Sequence, residues 1–509
     1  MTWLANADFD TAWAHATWTD FAHAPARERQ FAVLPVFGYA DHGLGAALDA
    51  EEVVGSEILH RAVRYTKTTL PLKVLPPLRF GLAPYSSTFF GIDPETAHDL
   101  VRELAGSVQA AGFTKLVFFV TSPWQDEFVD AASRDARVDL GLQTFGINLS
   151  GLGLDFHPTS ASRVQLHALV AHLLGRAPAA ASRPEQSSDA HFRPGRWDQP
   201  APVPATNAKI DSEALLEAAG AHLARLLAEI EARAPLGATA QRFPAVLPLA
   251  PAPRAPDALA VWPRHRTRYL GALTRDELEA LPEKERAFVI IPTGAIEQHG
   301  PHLPVGVDSI LGQAWLDHAL PRLPPELPVW VAPPITFGKS NEHVGFPGTI
   351  HVSAKTLRRL LLSLARQLHD LGFRQIGLLN THGGNSAVLV YTLREIQTTL
   401  GLRAGLIGHP FRPELSAQEA EYGFHAGQWE TALMLAAATA TVRMDRAVAE
   451  FPARIEDPGQ LRPENAPATY SWISRDISRS GVMGDATRAT REEGERWLDQ
   501  ASAALAQRI

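Results

Sequence analysis

Short apolar runs alternate with amphipathic stretches along the second half of the chain. Phe288 to Ile291 is rich in β-branched residues and is closed by Pro292 and Gly294, which predicts a buried strand. Val329 to Ala332 predicts another, stopped by Pro333 and Pro334. Behind Ser353, a residue type that caps helices, Leu357, Leu360, Leu361, Leu364 and Leu368 recur at helical spacing until Gly372. A strand over 375–380, a helix over 386–400 and a strand over 404–407 follow. Strand–helix alternation of this kind predicts an α/β fold: a central, mostly parallel sheet between two helical layers. Ligands bind such sheets beyond the carboxyl ends of the strands, so the residues just after Ile291 and Leu379 are where chemistry belongs.

The first half repeats the pattern. Phe31-Ala-Val-Leu-Pro35 resembles Phe288-Val-Ile-Ile-Pro292, 257 positions later. At that offset His42-Gly43 falls on His299-Gly300, and Pro76 to Gly81 falls on Pro333 to Gly338. Gly112-Phe113 matches Gly372-Phe373 at an offset of 260, and Phe156-His157 aligns with Phe424-His425. Ordered matches at nearly constant offset predict an internal duplication. Residues 176–207, rich in Pro and Ala, read as loop. An apolar stripe predicts a helix over 212–234, the counterpart of a C-terminal helix near 491–507. The expected division is a domain at 1–242, a Pro-rich linker at 243–257 and a domain at 258–509.

Composition narrows the function. The 509 residues carry a net charge of −8 without long like-charge runs, which argues against a nucleic-acid surface. No apolar stretch approaches the roughly 20 residues that span a bilayer. The first ten residues are acidic and do not resemble a secretory signal, so a cytoplasmic protein without a membrane partner is expected. Absence of cysteine excludes disulfides, thiolate metal sites and cysteine nucleophiles. Any metal must be held by His, Asp and Glu.

Three Gly- or Pro-rich loops supply such side chains. The first runs from Gly294 through Glu297, Gln298, His299, Gly300 and His302 to Asp308. The second is Asn380-Thr-His382-Gly383-Gly384-Asn385, and the third is Phe424-His425-Ala-Gly-Gln-Trp429-Glu430-Thr. Imidazole and carboxylate ligands suit zinc, manganese or iron, and one Asp can bridge two ions. A pair of ions would ready a hydroxide at neutral pH and polarise a carbonyl, as amide or lactone hydrolysis requires.

These segments, with SNEHVGFPGTI at 340–350 and a GDAT-like segment at 484–487, resemble the signature segments of the creatininase (creatinine amidohydrolase) family over nearly all of the second half. The resemblance implies an α/β/α fold, a dinuclear metal centre and oligomers built as trimers of dimers. It implies that Glu297, Asp308 and His382 hold one ion, that His299 and the bridging Asp308 hold the other, and that His425 transfers a proton. Ser340, Glu342 and His343 fall in a substrate-facing loop, and Gly383 and Trp429 join the expected substrate-binding residues. Two divalent ions per chain are expected, zinc first, with manganese or iron as alternatives. Two departures argue against creatinine as the substrate. Creatininase proper carries Tyr-Glu after the His that matches His382, where this chain has Gly383-Gly384, and it carries Trp-Asp shortly before its HAG segment, where this chain has Tyr422-Gly423. Glu430 is therefore expected to complete the second metal site, acting beside His425.

In the first half Glu297 corresponds to Ala40 and His382 to Ser122, leaving His42 and an acid, Asp49 or Glu51. Two ions cannot be held by that remnant, so this half is expected to be a degenerate, non-catalytic copy. A homo-oligomer of three two-domain chains would then imitate the family hexamer. The expected function is hydrolysis of an amide or cyclic amide C–N bond in a small non-peptide molecule. A lactonase or peptidase on the same metal core, and a non-catalytic scaffold, are the alternatives.

Overall fold

The computed structural model describes residues 9–24, 29–42, 45–66, 69–82, 88–157, 162–175, 210–233, 265–408, 411–452, 459–464 and 467–509. Two parallel sheets form the frame. In the first half, β1 (Phe31–Phe37) lies between β2 (Leu72–Val74) and β3 (Lys115–Val120), and β4 (Gln143–Asn148) extends β3. In the second, β5 (Phe288–Thr293) lies between β6 (Val329–Val331) and β7 (Gln375–Asn380), and β8 (Arg403–Ile407) extends β7. Every residue of β1 is buried, as expected of an unbroken apolar run inside a parallel sheet. The repeat extends to the register. Phe31 pairs with Leu72 and Lys115, and Phe288 pairs with Val329 and Gln375, at the offsets read from the sequence. The strand Leu78–Arg79 beside β1 survives in the second half as a single bridge, Thr293 to Ile335.

Seven helices matter for the site: α1 (Ala50–Thr66), α2 (Ser212–Ala232), α3 (Val307–Ala319), α4 (Ala354–Asp370), α5 (Ser386–Leu400), α6 (Gln428–Ala437) and α7 (Arg491–Arg508). Ser353 caps α4 by accepting the Thr356 N–H at 3.2 Å. Leu357, Leu361, Leu364 and Leu368 are buried on its inner face, and Gly372, at φ 101°, ends the run. The helix α2 packs on α1 as α7 packs on α3, which makes α2 and α7 counterparts.

Each half lends the other an arm. The Ala14 and Ala16 carbonyls accept the N–H groups of Gly306 and Val305 at 3.0 and 2.9 Å. The Gly271 and Leu273 carbonyls accept those of Asp49 and Leu48, both at 2.9 Å. Gly306 and Val305 stand 257 positions after Asp49 and Leu48, so the exchange is reciprocal. Arg266 forks the Asp49 carboxylate at 2.7 and 2.9 Å across the same seam. One apolar core runs through both halves, from Trp13 to Leu505, and a second lies between the first sheet, α1 and α2. The expected linker at 243–257, the boundary beside it and the loop at 176–207 lie outside the described residues. No helix among the described residues is long and apolar enough to cross a membrane.

Candidate metal centre

The carboxyl ends of β5 and β7 deliver the first two loops to one point. After β5, Glu297 is fixed by its N–H, which donates to the Val305 carbonyl at 2.9 Å. Gly300 adopts φ 72°, a left-handed turn open to glycine, and donates its N–H to Gln298 Oε1 at 2.9 Å. That turn brings the chain back so that Asp308 sits in the first turn of α3, where the helix dipole favours a carboxylate. After β7, Asn380 Nδ2 donates to the His382 carbonyl at 2.7 Å, and Asn385 Nδ2 donates to the Gly294 carbonyl at 3.0 Å, tying the two loops together. The third loop joins through His425, whose Nε2 donates to the Gln298 carbonyl at 2.8 Å and whose backbone bridges Met483. Ala426, at φ 55°, turns the chain so that Glu430 in the first turn of α6 accepts the Ala426 N–H at 2.5 Å.

The side chains converge on two adjoining groups. His382 Nδ1 stands 3.1 Å from Glu297 Oε1 and 3.5 Å from Asp308 Oδ2. His299 Nε2 stands 3.4 Å from Asp308 Oδ1 and 3.9 Å from Glu430 Oε2. Asp308 thus turns one oxygen to each group. Glu297, Asp308 and His382 lie close enough to share an ion, as do His299, Asp308 and Glu430. The donor set passes a test of fit: Glu297 Oε2, Asp308 Oδ2 and His299 Nε2 are buried with no hydrogen-bond partner, a costly state for protein alone. The rings are also oriented from behind. His299 Nδ1 donates to the Glu297 carbonyl at 3.1 Å, and His382 Nε2 donates to the Lys339 carbonyl at 3.0 Å, leaving the opposite nitrogens as acceptors toward the centre.

Burial and neighbouring charge pull the ionisable groups apart. Burial pushes the Glu297 carboxyl up to about 7, although His382 opposes it. Burial depresses His299, but the Asp308, Glu430 and Glu297 carboxylates outweigh it and hold the imidazole at about 9. Against burial, Glu297, Glu342 and Asp308 carry His382 well above its ordinary value. Burial and the surrounding imidazoles drive His343 and His425 well below theirs, so both rings are neutral. His425 is stacked between the other two, 4.3 Å from both His299 and His343.

Glu297, Asp308, His382, His425 and Glu430 line a cavity of about 720 Å3, with Lys339, Glu342, His343, Gly383, Tyr470 and Trp472 around its walls. Two of the expected substrate-binding residues lie outside this cavity. Ser340 is fully buried and does not face the cavity; its hydroxyl lies 3.2 Å from His382 Nε2, behind the ring. Trp429 faces a different cavity, with its ring near Phe411 and Trp497. His343 and Glu342 lie closer to the centre than a substrate loop requires. His343 Nε2 is 3.4 Å from Glu297 Oε1, and Glu342 Oε1 is 3.5 Å from His382 Nε2. A Cβ at Gly384 would collide with the Glu342 carboxylate, so the glycine leaves space that Glu342 fills.

Sequence reasoning missed four residues that organise the centre. Gln298 Nε2 donates to the Gly481 carbonyl at 3.1 Å and to His343 Nδ1 at 3.0 Å. Ser474 Oγ is 2.6 Å from the same nitrogen, and Lys339 Nζ pairs with Glu342 at 3.0 Å. Glu419 accepts the N–H groups of Gln428 and Asp485 at 2.8 and 2.7 Å, joining the start of α6 to the GDAT segment. Gln298 and Lys339 each adjoin a predicted residue, which is the signal that could have found them. Glu419 and Ser474 stand outside every motif.

The first-half counterpart is closed on itself. Glu51, the equivalent of Asp308, lies 3.0 Å from His42 and accepts the Gly38 N–H at 2.7 Å. Asp49, the other acid left open by the sequence, is bound to Arg266. Ser162, opposite Glu430, accepts the Asp155 N–H at 2.7 Å. Among the described residues, every group of three side chains placed to share an ion lies in the second half.

Parallel-sheet halves with acids and imidazoles gathered at strand ends define an α/β protein with a buried centre suited to divalent metal. The chain belongs to the creatininase family: the model for creatinine amidohydrolase matches residues 14–226 and 271–509, so both halves carry the family pattern. The family is one of hydrolases. The mycofactocin precursor peptide peptidase of Mycolicibacterium smegmatis is 31% identical over 244 residues, which is 47% of this chain and 90% of that protein. The creatinine amidohydrolase of Pseudomonas putida is 30% identical over 253 residues, 45% of this chain and 92% of that one. A crystal structure of creatinine amidohydrolase (creatininase) superimposes with a TM-score of 0.40 at 25% identity, covering 47% of this chain and 95% of that one.

Proposed function

We propose that the second half is a metal-dependent amidohydrolase with two ions, one held by Glu297, Asp308 and His382 and the other by His299, Asp308 and Glu430. The observation that carries this reading is the division of Asp308, whose two carboxylate oxygens face separate imidazole–carboxylate groups. Divalent ions bound there supply Lewis acidity toward a carbonyl and make water acidic enough to attack near neutral pH. The remaining work falls to the chain. His425 Nε2 donates to the Gln298 carbonyl at 2.8 Å, which leaves Nδ1 as an acceptor turned toward Glu297 and the cavity. A neutral imidazole so placed takes the proton of the attacking water and returns it to the departing nitrogen. Lys339 and Glu342 give the cavity wall one charge of each sign, which orients a polar substrate. The first half, lacking ligands at Ala40 and Ser122, holds no ion and serves as a partner surface.

A peptide amide is the second reading. A cavity of about 720 Å3 is far roomier than one small heterocycle needs, and the mycofactocin precursor peptide peptidases are 31–34% identical over 45–47% of this chain. The test is a panel of cyclic amides, formamides, lactones and short peptides presented to the full chain loaded with zinc or manganese. Hydrolysis of an amide that disappears in Asp308→Ala supports the proposal. Equal hydrolysis by Asp308→Ala sinks it.

A further inference from the structure

A second cavity opens on the far side of the centre. It has about 270 Å3 and is lined by Phe411, Leu415 and Trp429, with the charged side chains Arg412, Glu419 and Glu430 also in its lining. Phe424, His425 and Glu430 line both this cavity and the larger one, so they stand as a partition between two compartments. The compartments differ in chemistry. The larger carries the Lys339–Glu342 pair and several hydroxyl side chains. The smaller presents rings: Trp429 lies 5.9 Å from Phe411 and 5.5 Å from Trp497, so its indole is held as a fixed wall. Trp429 also adjoins Glu430 on α6, so the element that aims Glu430 at the centre aims this wall as well.

We infer that the smaller cavity is a substrate subsite, and that it takes an apolar group about the size of a benzyl ring attached on one side of the scissile bond. The polar remainder of the substrate lies in the larger cavity, with the reacting carbonyl between them at His425 and Glu430. This inference rests on the hydrolase reading above. Burying an apolar group against fixed aromatic walls removes both surfaces from water, and a cavity of this volume admits one ring. A compact substrate without such a group forgoes that contact, so the site discriminates on the substituent as well as on the bond that is cut.

The probe is N-(4-fluorobenzyl)formamide, followed by fluorine NMR on the full metal-loaded chain, with N-methylformamide as the compact comparison. Leu415→Trp fills the cavity from a position outside the catalytic machinery, and Phe411→Ala opens its wall. Binding of the benzyl probe to the unaltered chain, weakened about tenfold or more by Leu415→Trp at unchanged metal content, is the expected result. If the probe is also hydrolysed, its KM should rise by a similar factor in both variants while that of N-methylformamide stays level. Binding without hydrolysis supports the subsite and counts against the hydrolase reading alone. No binding to the unaltered chain, or equal binding in both variants, overturns the inference.

Discussion

Chelating the metal leaves a buried set of charges whose response to pH follows from the geometry. His299 is fully buried, and its imidazole sits at about 9 rather than 6.5, because the Asp308, Glu430 and Glu297 carboxylates outweigh burial. A group whose folded pKa is raised contributes stability that is complete below its unfolded value and lost as pH rises through the folded one. The window is therefore pH 6.5 to 9, and at about 1.4 kcal/mol per pKa unit the contribution is about 3 kcal/mol. Glu297 acts in the same direction. Its carboxyl is raised chiefly by burial from 4.5 to about 7, so it lowers stability in a more acid window, as pH rises from about 4.5 to 7, and adds nothing above that. The chelated protein should melt at progressively lower temperature between pH 6.5 and 9, by about 3 °C in all, since at about 2.1 cal/mol/K per residue 1 kcal/mol moves the Tm of a 509-residue chain by about 1 °C. Scanning calorimetry of the chelated and metal-loaded chain, with His299→Gln alongside, measures this. His299→Gln should flatten the chelated curve. The gap between loaded and chelated protein should widen with pH, since ion binding requires deprotonated ligands. A chelated Tm that is level or rising over that range refutes the charge arrangement, as does an unchanged slope in His299→Gln.

Elemental analysis should find about two equivalents of metal in the unaltered chain, one in Glu430→Gln and none in Asp308→Ala; equal content in all three would contradict the bridging role. His42→Ala, in the first half, should leave the metal content unchanged, and any loss there would show that this half holds an ion. His425→Ala should keep the metal and slow turnover by about 10²–10⁴, as loss of an acid–base group does, whereas undiminished turnover would remove that role. Glu419→Gln places an amide N–H against one of two backbone N–H groups, at a cost of about 1–3 kcal/mol, so a Tm unchanged within error would show that Glu419 does not tie α6 to the GDAT segment.

The strands and the loops after them were legible in the sequence because both signals are local. An apolar run such as Phe288–Thr293 can only be buried, and Gly300 and His382 announce close approach and ligation within a few residues of a strand end. The imidazoles and carboxylates read from those loops lie close together in the fold. Orientation was not legible. Trp429 lies one residue before Glu430 on α6, and a 100° step around a helix sends it to the other side of the partition. Ser340 shares a segment with Glu342 and His343 but lies behind His382, since the segment turns there into a single 3-10 turn, Asn341–His343. Neither rotation leaves a trace in residue type. Glu419 was invisible for another reason: its partners are backbone groups, which carry no sequence signal.

On the proposed function, the reciprocal arms explain why a half that holds no metal stays bound to one that holds it. Val305 and Gly306 end the loop that carries Glu297 and His299, and Asp308 follows two residues after Gly306. Both N–H groups are buried, and both donate across the seam to Ala16 and Ala14 rather than within their own half. Left unpaired, each would cost about 1–3 kcal/mol, a penalty falling on the backbone that sets the position of Asp308. Trp13 strengthens the hold, since its indole N–H donates to the Gly348 carbonyl at 2.8 Å inside the shared core. The mirror contacts, Gly271 and Leu273 on Asp49 and Leu48, fall just before Glu51, whose carboxylate is taken up by His42 and the Gly38 N–H. The arm at residues 14–16 is thus tied to the loop that carries Glu297, His299 and Asp308, whereas its mirror meets a segment with Ala40 in place of Glu297.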